Sequence, residues 1–128
     1  MSLRSPLGRV LGHGSAKSGS AHWLGQRVSA VALALLGTWF LVSLLTLGGL
    51  EHERVVAWLA APLQSVLALI FVVTAAWHAN LGMQVVVDDY VAGKGTRIAV
   101  LVVIRFALIV AAVAGVLAVL RIAFGVAA

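Results

Sequence analysis

The sequence contains no cysteine and has few charged residues among its 128 residues. The lack of cysteine excludes disulfides, iron-sulfur ligation, thiolate zinc sites and a cysteine nucleophile, so any metal or cofactor must be held by nitrogen or oxygen ligands. Charged residues make up 10% of the chain, whereas they make up about a quarter of a soluble domain. Hydrophobic residues make up 62%, and they lie in long uncharged runs. This composition predicts a single membrane-embedded unit.

The net charge of +5 does not indicate a nucleic-acid-binding protein. The nine lysine and arginine residues are scattered around apolar runs, and they form no basic stripe of the kind that follows a phosphate backbone. We therefore expect no nucleic-acid partner. The charges are better explained as determinants of orientation in a membrane.

Three apolar runs predict an all-α integral membrane protein with three transmembrane helices, at about 26–48, 60–88 and 97–121. Each run is long enough to cross the hydrocarbon core, which needs about 20 residues in a helix. Pro62 fits the N-terminus of the second helix or a kink. The residues just before it, with Trp58, are expected to lie at the interface or to begin a tilted helix.

The chain divides into an N-terminal arm, residues 1–23, and a three-helix membrane anchor domain, residues 24–128. The arm is rich in glycine and serine and shows no sustained hydrophobic period, so it is expected to be mobile or bound to a partner. A secretory signal peptide is disfavoured because the apolar run that follows is longer than an h-region. The loops between the helices are short.

The distribution of basic residues predicts the orientation of the chain. Cytoplasmic flanks of transmembrane helices accumulate lysine and arginine. The N-terminal flank and the second loop together carry six of the nine basic residues: Arg4, Arg9, Lys17, Arg27, Lys94 and Arg97. We therefore expect a cytoplasmic N-terminus and a periplasmic C-terminus.

His78 is an ionisable residue within the second apolar run. Such a residue is costly in lipid and is usually paired or functional. Its imidazole could form a hydrogen bond with another helix, relay protons, or ligate a metal through one ring nitrogen. Gly82 shares the same helix face and would leave room for a flat macrocycle, which is compatible with haem ligation. No second histidine lies at this depth, so a haem with two histidine ligands would need one from another polypeptide.

Three further residues are candidates for a site at the cytoplasmic interface. Arg27 suits either a membrane anchor or the binding of a carboxylate such as a haem propionate. Asp89 and Tyr90 suit either the end of a span with an aromatic belt residue or the protonation of a quinone. Asp89 lies close to three helical turns after His78, so both point to one face of an unbroken helix.

Residues 98–120 of the third span hold one charged residue, Arg105. It is expected to reach the cytoplasmic headgroups, or to meet an acidic partner or an anionic lipid. The alanine and glycine residues of the same span suit close helix packing.

Two segments carry a family resemblance: HWLGQRVSA at residues 22–30 and HANLGMQVVVDDYV at residues 78–91. Together with the three spans, they make the chain resemble the small, cytochrome b-type membrane anchor subunit of succinate dehydrogenase. The resemblance implies that His78 is one axial ligand of haem b, with the other ligand in a companion anchor subunit. It further implies that Arg27 contacts a haem propionate, and that Asp89 and Tyr90 lie at a ubiquinone pocket. Asp88 adds a second acid beside Asp89, so the carboxylate that assists protonation is left open.

The resemblance also implies a role for the whole chain. It would be half of a heterodimeric anchor helix bundle in the bacterial inner membrane. It would dock the iron-sulfur and flavoprotein subunits and contribute to the passage of electrons from succinate to ubiquinone, with no succinate chemistry of its own. The alternatives are a fumarate reductase anchor, a small proton-coupled transporter subunit, and a structural scaffold in which His78 only forms a hydrogen bond.

Overall fold

The computed structural model describes Val10 and residues 19–125, and this part of the chain holds four α-helices besides the helical Val10. They are α1 (Gly19–Thr46), α2 (His52–Ala60), α3 (Pro62–Tyr90) and α4 (Lys94–Ala123). The three long helices α1, α3 and α4 are long and apolar enough to cross a membrane. The predicted fold class, an all-α protein with three membrane-spanning helices, is confirmed.

The long helices extend past the apolar runs that predicted them. Helix α1 begins at Gly19, so residues 19–23 of the predicted arm are helical; residues 1–9 and 11–18 lie outside the described residues. Helix α4 likewise begins at Lys94, before the run predicted from residue 97. Hydrophobicity marks the part of a helix that lies in lipid, whereas backbone hydrogen bonding continues until a residue stops it.

Helix α1 ends where two glycines turn the chain back toward the bundle. Gly48 has a φ of +76°, in the left-handed region that glycine enters without steric cost. The Arg54 guanidinium donates a hydrogen bond to the carbonyl of Gly48 (3.3 Å) and forms an ion pair with Glu51 (3.1 Å). These contacts hold the connection between α1 and α2.

The segment before Pro62 forms a short helix of its own, α2, in place of the start of a longer tilted one. Ala61 has ψ of 133°, as expected for a residue before proline, and Pro62 occupies the first turn of α3. The hydroxyl of Ser65 donates to the carbonyls of Leu59 (2.6 Å) and Ala61 (3.1 Å). Ser65 therefore supplies a donor to the carbonyl of Leu59 at the break before Pro62, whereas the carbonyl of Ala61 also accepts from the backbone N–H of Ser65 (3.0 Å).

Helix α3 lies between α1 and α4. It packs against both of them, whereas α1 and α4 do not approach each other within the described residues. At Gly115 the backbone of α4 comes so close that a Cβ would lie 3.0 Å from Val72 Cγ1 of α3. This close approach agrees with the packing role expected for the small residues of the third span.

An aromatic cluster connects helices α1, α2 and α3 at the end of the bundle where α2 lies. Trp39 of α1 stacks on Trp58 of α2 with ring centroids 5.7 Å apart, and Phe40 of α1 stacks on Phe71 of α3 at 5.3 Å. Through these rings α1 contacts both α2 and α3. The cluster therefore fixes the short helix α2 against the spanning helices.

Most apolar side chains of the described residues face outward. No described side chain is fully buried, and the buried apolar residues are Ala68, Val87 and Val119. Large apolar side chains such as Leu35, Val103 and Phe106 are exposed on the long helices. Faces of this kind suit lipid or further membrane helices.

Candidate functional site

His78 lies in α3, twelve residues before the last residue of that helix, or about 18 Å along the helix axis. The ring is half-buried and points toward α1. Its Nδ1 lies 2.9 Å from Ser29 Oγ, and its Nε2 lies 3.4 Å from Gln26 Nε2. The hydrogen bond to another helix that the sequence allowed is therefore present.

His78, Ser29 and Gln26 form a cluster that we call the His78 group. One arrangement of the protons satisfies every contact within it. The hydroxyl of Ser29 donates to the carbonyl of Gln26 at 3.2 Å, so Ser29 Oγ accepts a hydrogen bond from His78 Nδ1–H. The amide nitrogen of Gln26 can only donate, which requires a lone pair on His78 Nε2. The imidazole is then the neutral Nδ1–H tautomer, with Nε2 as the available ligand nitrogen.

The surroundings of Nε2 fit a metal-bound macrocycle. The contact with Gln26 is long, and the carbonyl oxygen of the same amide, Oε1, is buried without a hydrogen-bond partner. Gly82 lies on this side of α3, where a Cβ would come 3.5 Å from Gln26 Nε2. With no side chain at Gly82, the Gln26 amide lies beside Nε2, and a haem ligated by this histidine would take the place of that amide.

His78 is not part of a cluster of possible metal ligands within the described residues. Residues 19–125 contain no group of three or more histidine, aspartate or glutamate side chains placed to hold a metal ion. His78 could complete a coordination sphere only together with a ligand from outside the described residues.

Arg27 follows Gln26 in the sequence, but its side chain does not point toward His78. Its side chain is exposed, and the guanidinium carbon lies 5.6 Å from the centroid of the Trp23 ring. The cation-π contact leaves the donors at the edge of the guanidinium accessible. Arg27 can therefore still bind a carboxylate near the start of α1.

Asp89 and Tyr90 lie in the last turn of α3, which runs unbroken from Pro62. Tyr90 is 84% exposed. Asp89 lines a groove of about 390 Å³ together with His22 and Asp88. The three predicted interface residues, Arg27, Asp89 and Tyr90, thus lie toward one end of the bundle, away from the aromatic cluster.

The two neighbouring carboxylates differ in their contacts. Asp88 forms an ion pair with Arg97 (3.6 Å), and the same guanidinium donates to the carbonyl of Val91 through Nε (3.1 Å) and Nη2 (2.9 Å). Asp88 is thereby held by Arg97 at the turn between α3 and α4. Asp89 carries no such ion pair within the described residues.

Arg105 lies on the opposite side of α3 from the His78 group. It lines a groove of about 240 Å³ between α3 and α4 with Asn80, Gln84 and Asp88. The polar side chains recur every four residues on α3 and so form one stripe facing α4. The expected positions of Arg105, at a headgroup or beside an anionic partner, are not tested by these contacts.

Sequence reasoning missed Ser29, Gln26 and His22. Ser29 lies in the segment HWLGQRVSA, but a serine in an apolar helix is common, so only its partner across the helix contact identifies it. Gln26 and His22 lie in the segment HWLGQRVSA, whose polar residues were a usable signal.

The chain is similar to proteins of one kind. Residues 1–119 match the family model described as the succinate dehydrogenase/fumarate reductase transmembrane subunit. A succinate dehydrogenase hydrophobic membrane anchor subunit of Rickettsia conorii is 40% identical over 117 residues, covering 91% of this chain and 93% of the relative. Proteins with the same name are 35% identical in Rickettsia bellii, with 91% and 94% covered, and 32% identical in Paracoccus denitrificans, with 85% and 86% covered.

Proposed function

The chain belongs to the succinate dehydrogenase/fumarate reductase transmembrane subunit family, and we propose that it serves as the membrane anchor subunit of a succinate dehydrogenase. The observation that carries this proposal is the likeness over 91% of the chain to relatives that bear that name. The resemblance seen in the sequence is confirmed. The fumarate reductase anchor and the proton-coupled transporter are not favoured by these relatives.

An anchor subunit works in a complex with other subunits. We propose that this chain pairs with a companion anchor subunit and docks the iron-sulfur and flavoprotein subunits, which oxidise succinate. The wide apolar faces of α1, α3 and α4 offer surfaces on which the helices of a companion anchor subunit could pack within the membrane. The chain itself performs no succinate chemistry in this proposal.

The His78 group supports a haem b site shared between the two anchor subunits. His78 would donate Nε2 to the iron, Ser29 would hold Nδ1–H, and Arg27 would bind a propionate through its guanidinium. Bound haem supplies one-electron redox chemistry at this position. A further ligand to the iron would come from the companion anchor subunit, because His78 lies in no cluster of possible ligands within the described residues.

The end of α3 supports a role in ubiquinone reduction, which takes up two electrons and two protons. The exposed hydroxyl of Tyr90 is free to donate a hydrogen bond to a quinone carbonyl. We propose Asp89 as the assisting carboxylate, since Asp88 is held by Arg97. The histidine beside it in the groove, His22, offers a polar route toward water.

The basic residues support an orientation in the bacterial inner membrane. The start of α1 and the end of α3 line one groove, and α4 begins shortly after α3 ends, so Lys94 and Arg97 lie at the same end of the bundle as His22. We propose that this end is cytoplasmic, following the positive-inside rule. The C-terminus is then periplasmic.

The quinone role predicts a selective defect in Tyr90→Phe. We expect succinate:quinone reductase activity of the purified complex to fall about tenfold, the equivalent of one lost hydrogen bond of about 1.4 kcal/mol. Reduction of a soluble dye by succinate is expected to stay at the wild-type level, because the flavoprotein and iron-sulfur subunits are unchanged.

Purification through a tag on this chain tests the anchor role in the same experiment. Subunits that oxidise succinate must be retained with the tagged chain in detergent; their absence would contradict the proposed function. Equal loss of quinone and dye activity in Tyr90→Phe would instead indicate failed assembly and would remove Tyr90 from the quinone site.

A further inference from the structure

We infer that Ser29 is a positioning residue for metal ligation by His78: its hydroxyl selects the Nδ1–H tautomer and fixes the ring so that Nε2 faces the metal. This inference rests on the proposed function, in which His78 is a haem ligand. It assigns the role to a serine of α1 and extends the haem site across the contact between α1 and α3.

The position of Ser29 distinguishes it from the other hydroxyl residues in the spans. It is 8% exposed and is the buried residue of α1, and its Oγ lies 2.9 Å from a side chain of a different helix. The hydroxyls of Thr38, Thr46 and Ser65 bond to backbone carbonyls of their own or adjoining segments. Ser29 thus makes a side-chain bond between two spanning helices.

The direction of the bond to His78 follows from the second contact of Ser29. Its one proton is used for the carbonyl of Gln26 (3.2 Å), so its lone pairs are left for the imidazole Nδ1–H. A metal-ligating histidine commonly donates its other ring N–H to such an acceptor, which fixes the tautomer and raises the basicity of the ligand nitrogen. Ser29 supplies that acceptor here.

The surroundings make the hydroxyl hard to replace. At membrane depth there is little water to accept the Nδ1–H bond, and an unpaired buried donor is costly. Without the hydroxyl, the ring can rotate or change tautomer, and either change weakens ligation through Nε2. Loss of a partner of this kind typically reduces metal affinity about 10- to 100-fold.

A matched pair of variants, Ser29→Thr and Ser29→Val, isolates the hydroxyl because the two side chains have nearly the same shape. In the purified complex we expect Ser29→Val to lose haem to excess apomyoglobin at least about tenfold faster than wild type. The haem midpoint potential is expected to shift upward, since a less basic imidazole stabilises ferric iron less. Ser29→Thr is expected to match wild type in both measurements.

Two controls separate failure of this inference from failure of the haem proposal. Ser43→Val makes the same change elsewhere on α1 and should leave both measurements unchanged. If His78→Ala retains a wild-type haem spectrum, the haem proposal is wrong and this inference falls with it. If His78→Ala loses the spectrum while Ser29→Val and Ser29→Thr behave alike, only the positioning role is overturned. Should Ser29→Val not accumulate, Ser29→Ala replaces it under the same outcomes.

Discussion

The two sides of α3 make contacts of different kinds. Toward α1, His78 reaches Ser29 through a hydrogen bond of 2.9 Å. Toward α4, Val72 packs against the backbone at Gly115. The first contact is polar and directional, and the second depends on a missing side chain.

Helix α3 therefore carries a polar site on one side and a close packing contact on the other. The polar contacts of His78 fix the rotation and height of α3 against α1, because lipid offers no competing hydrogen-bond partner. A close approach at glycine instead gains van der Waals contact along the whole face of α4. A change at Gly115 should therefore affect assembly first, and a change at Ser29 should affect the redox site first.

The largest effect is expected from Gly115→Leu. A Cβ at this position would lie 3.0 Å from Val72 Cγ1, and the rest of a leucine would push α4 away from α3. Overpacking of this kind costs about 1–3 kcal/mol or more. We expect a clear drop in the yield of assembled complex and in its thermal midpoint in detergent.

Gly95→Leu is the matched control for that change. It makes the same substitution on α4, where a Cβ meets nothing within 4 Å. Equal loss of stability in the two variants would contradict the packing role of Gly115.

A smaller effect is expected from Ser65→Ala, at the break between α2 and α3. The change removes hydrogen bonds to the carbonyls of Leu59 and Ala61, which are worth about 1 kcal/mol. A modest decrease of the thermal midpoint should be measured, with haem content unchanged. If Ser43→Ala lowers the thermal midpoint as much, the hydrogen bonds of the Ser65 hydroxyl do not explain the decrease.

The smallest effect on stability is expected from Asp88→Asn. Its ion pair with Arg97 is partly exposed, and such pairs contribute about 1 kcal/mol or less, with screening by salt. Quinone reductase activity should persist in Asp88→Asn and fall in Asp89→Asn. The reverse result would assign the quinone carboxylate to Asp88.

The sequence predicted the features that follow from hydrophobicity and from proline, small residues and an ionisable residue in an apolar run. Three spans, the break at Pro62 and the close packing of the third span follow from apolar runs, proline geometry and small residues. His78 could be singled out because an ionisable residue in lipid needs a compensating contact.

Other features could not be predicted because they depend on neighbours distant in sequence. The partnership of Ser29 with His78 joins residues 49 positions apart, and no local pattern encodes it. The helical residues 19–23 carry no hydrophobic signal, since the start of α1 lies beyond the apolar run. The pairing of Asp88 with Arg97 is decided by the turn after α3.

The proposed binding of His78 to the iron of a haem shared with a companion anchor subunit is the step on which the rest of the redox site depends. Reduced-minus-oxidised spectra of the purified complex, recorded for wild type and His78→Ala, test it most directly. We expect a b-type signal in the wild type that is lost or strongly altered in the variant. A b-type signal that survives unchanged in His78→Ala would contradict this ligation.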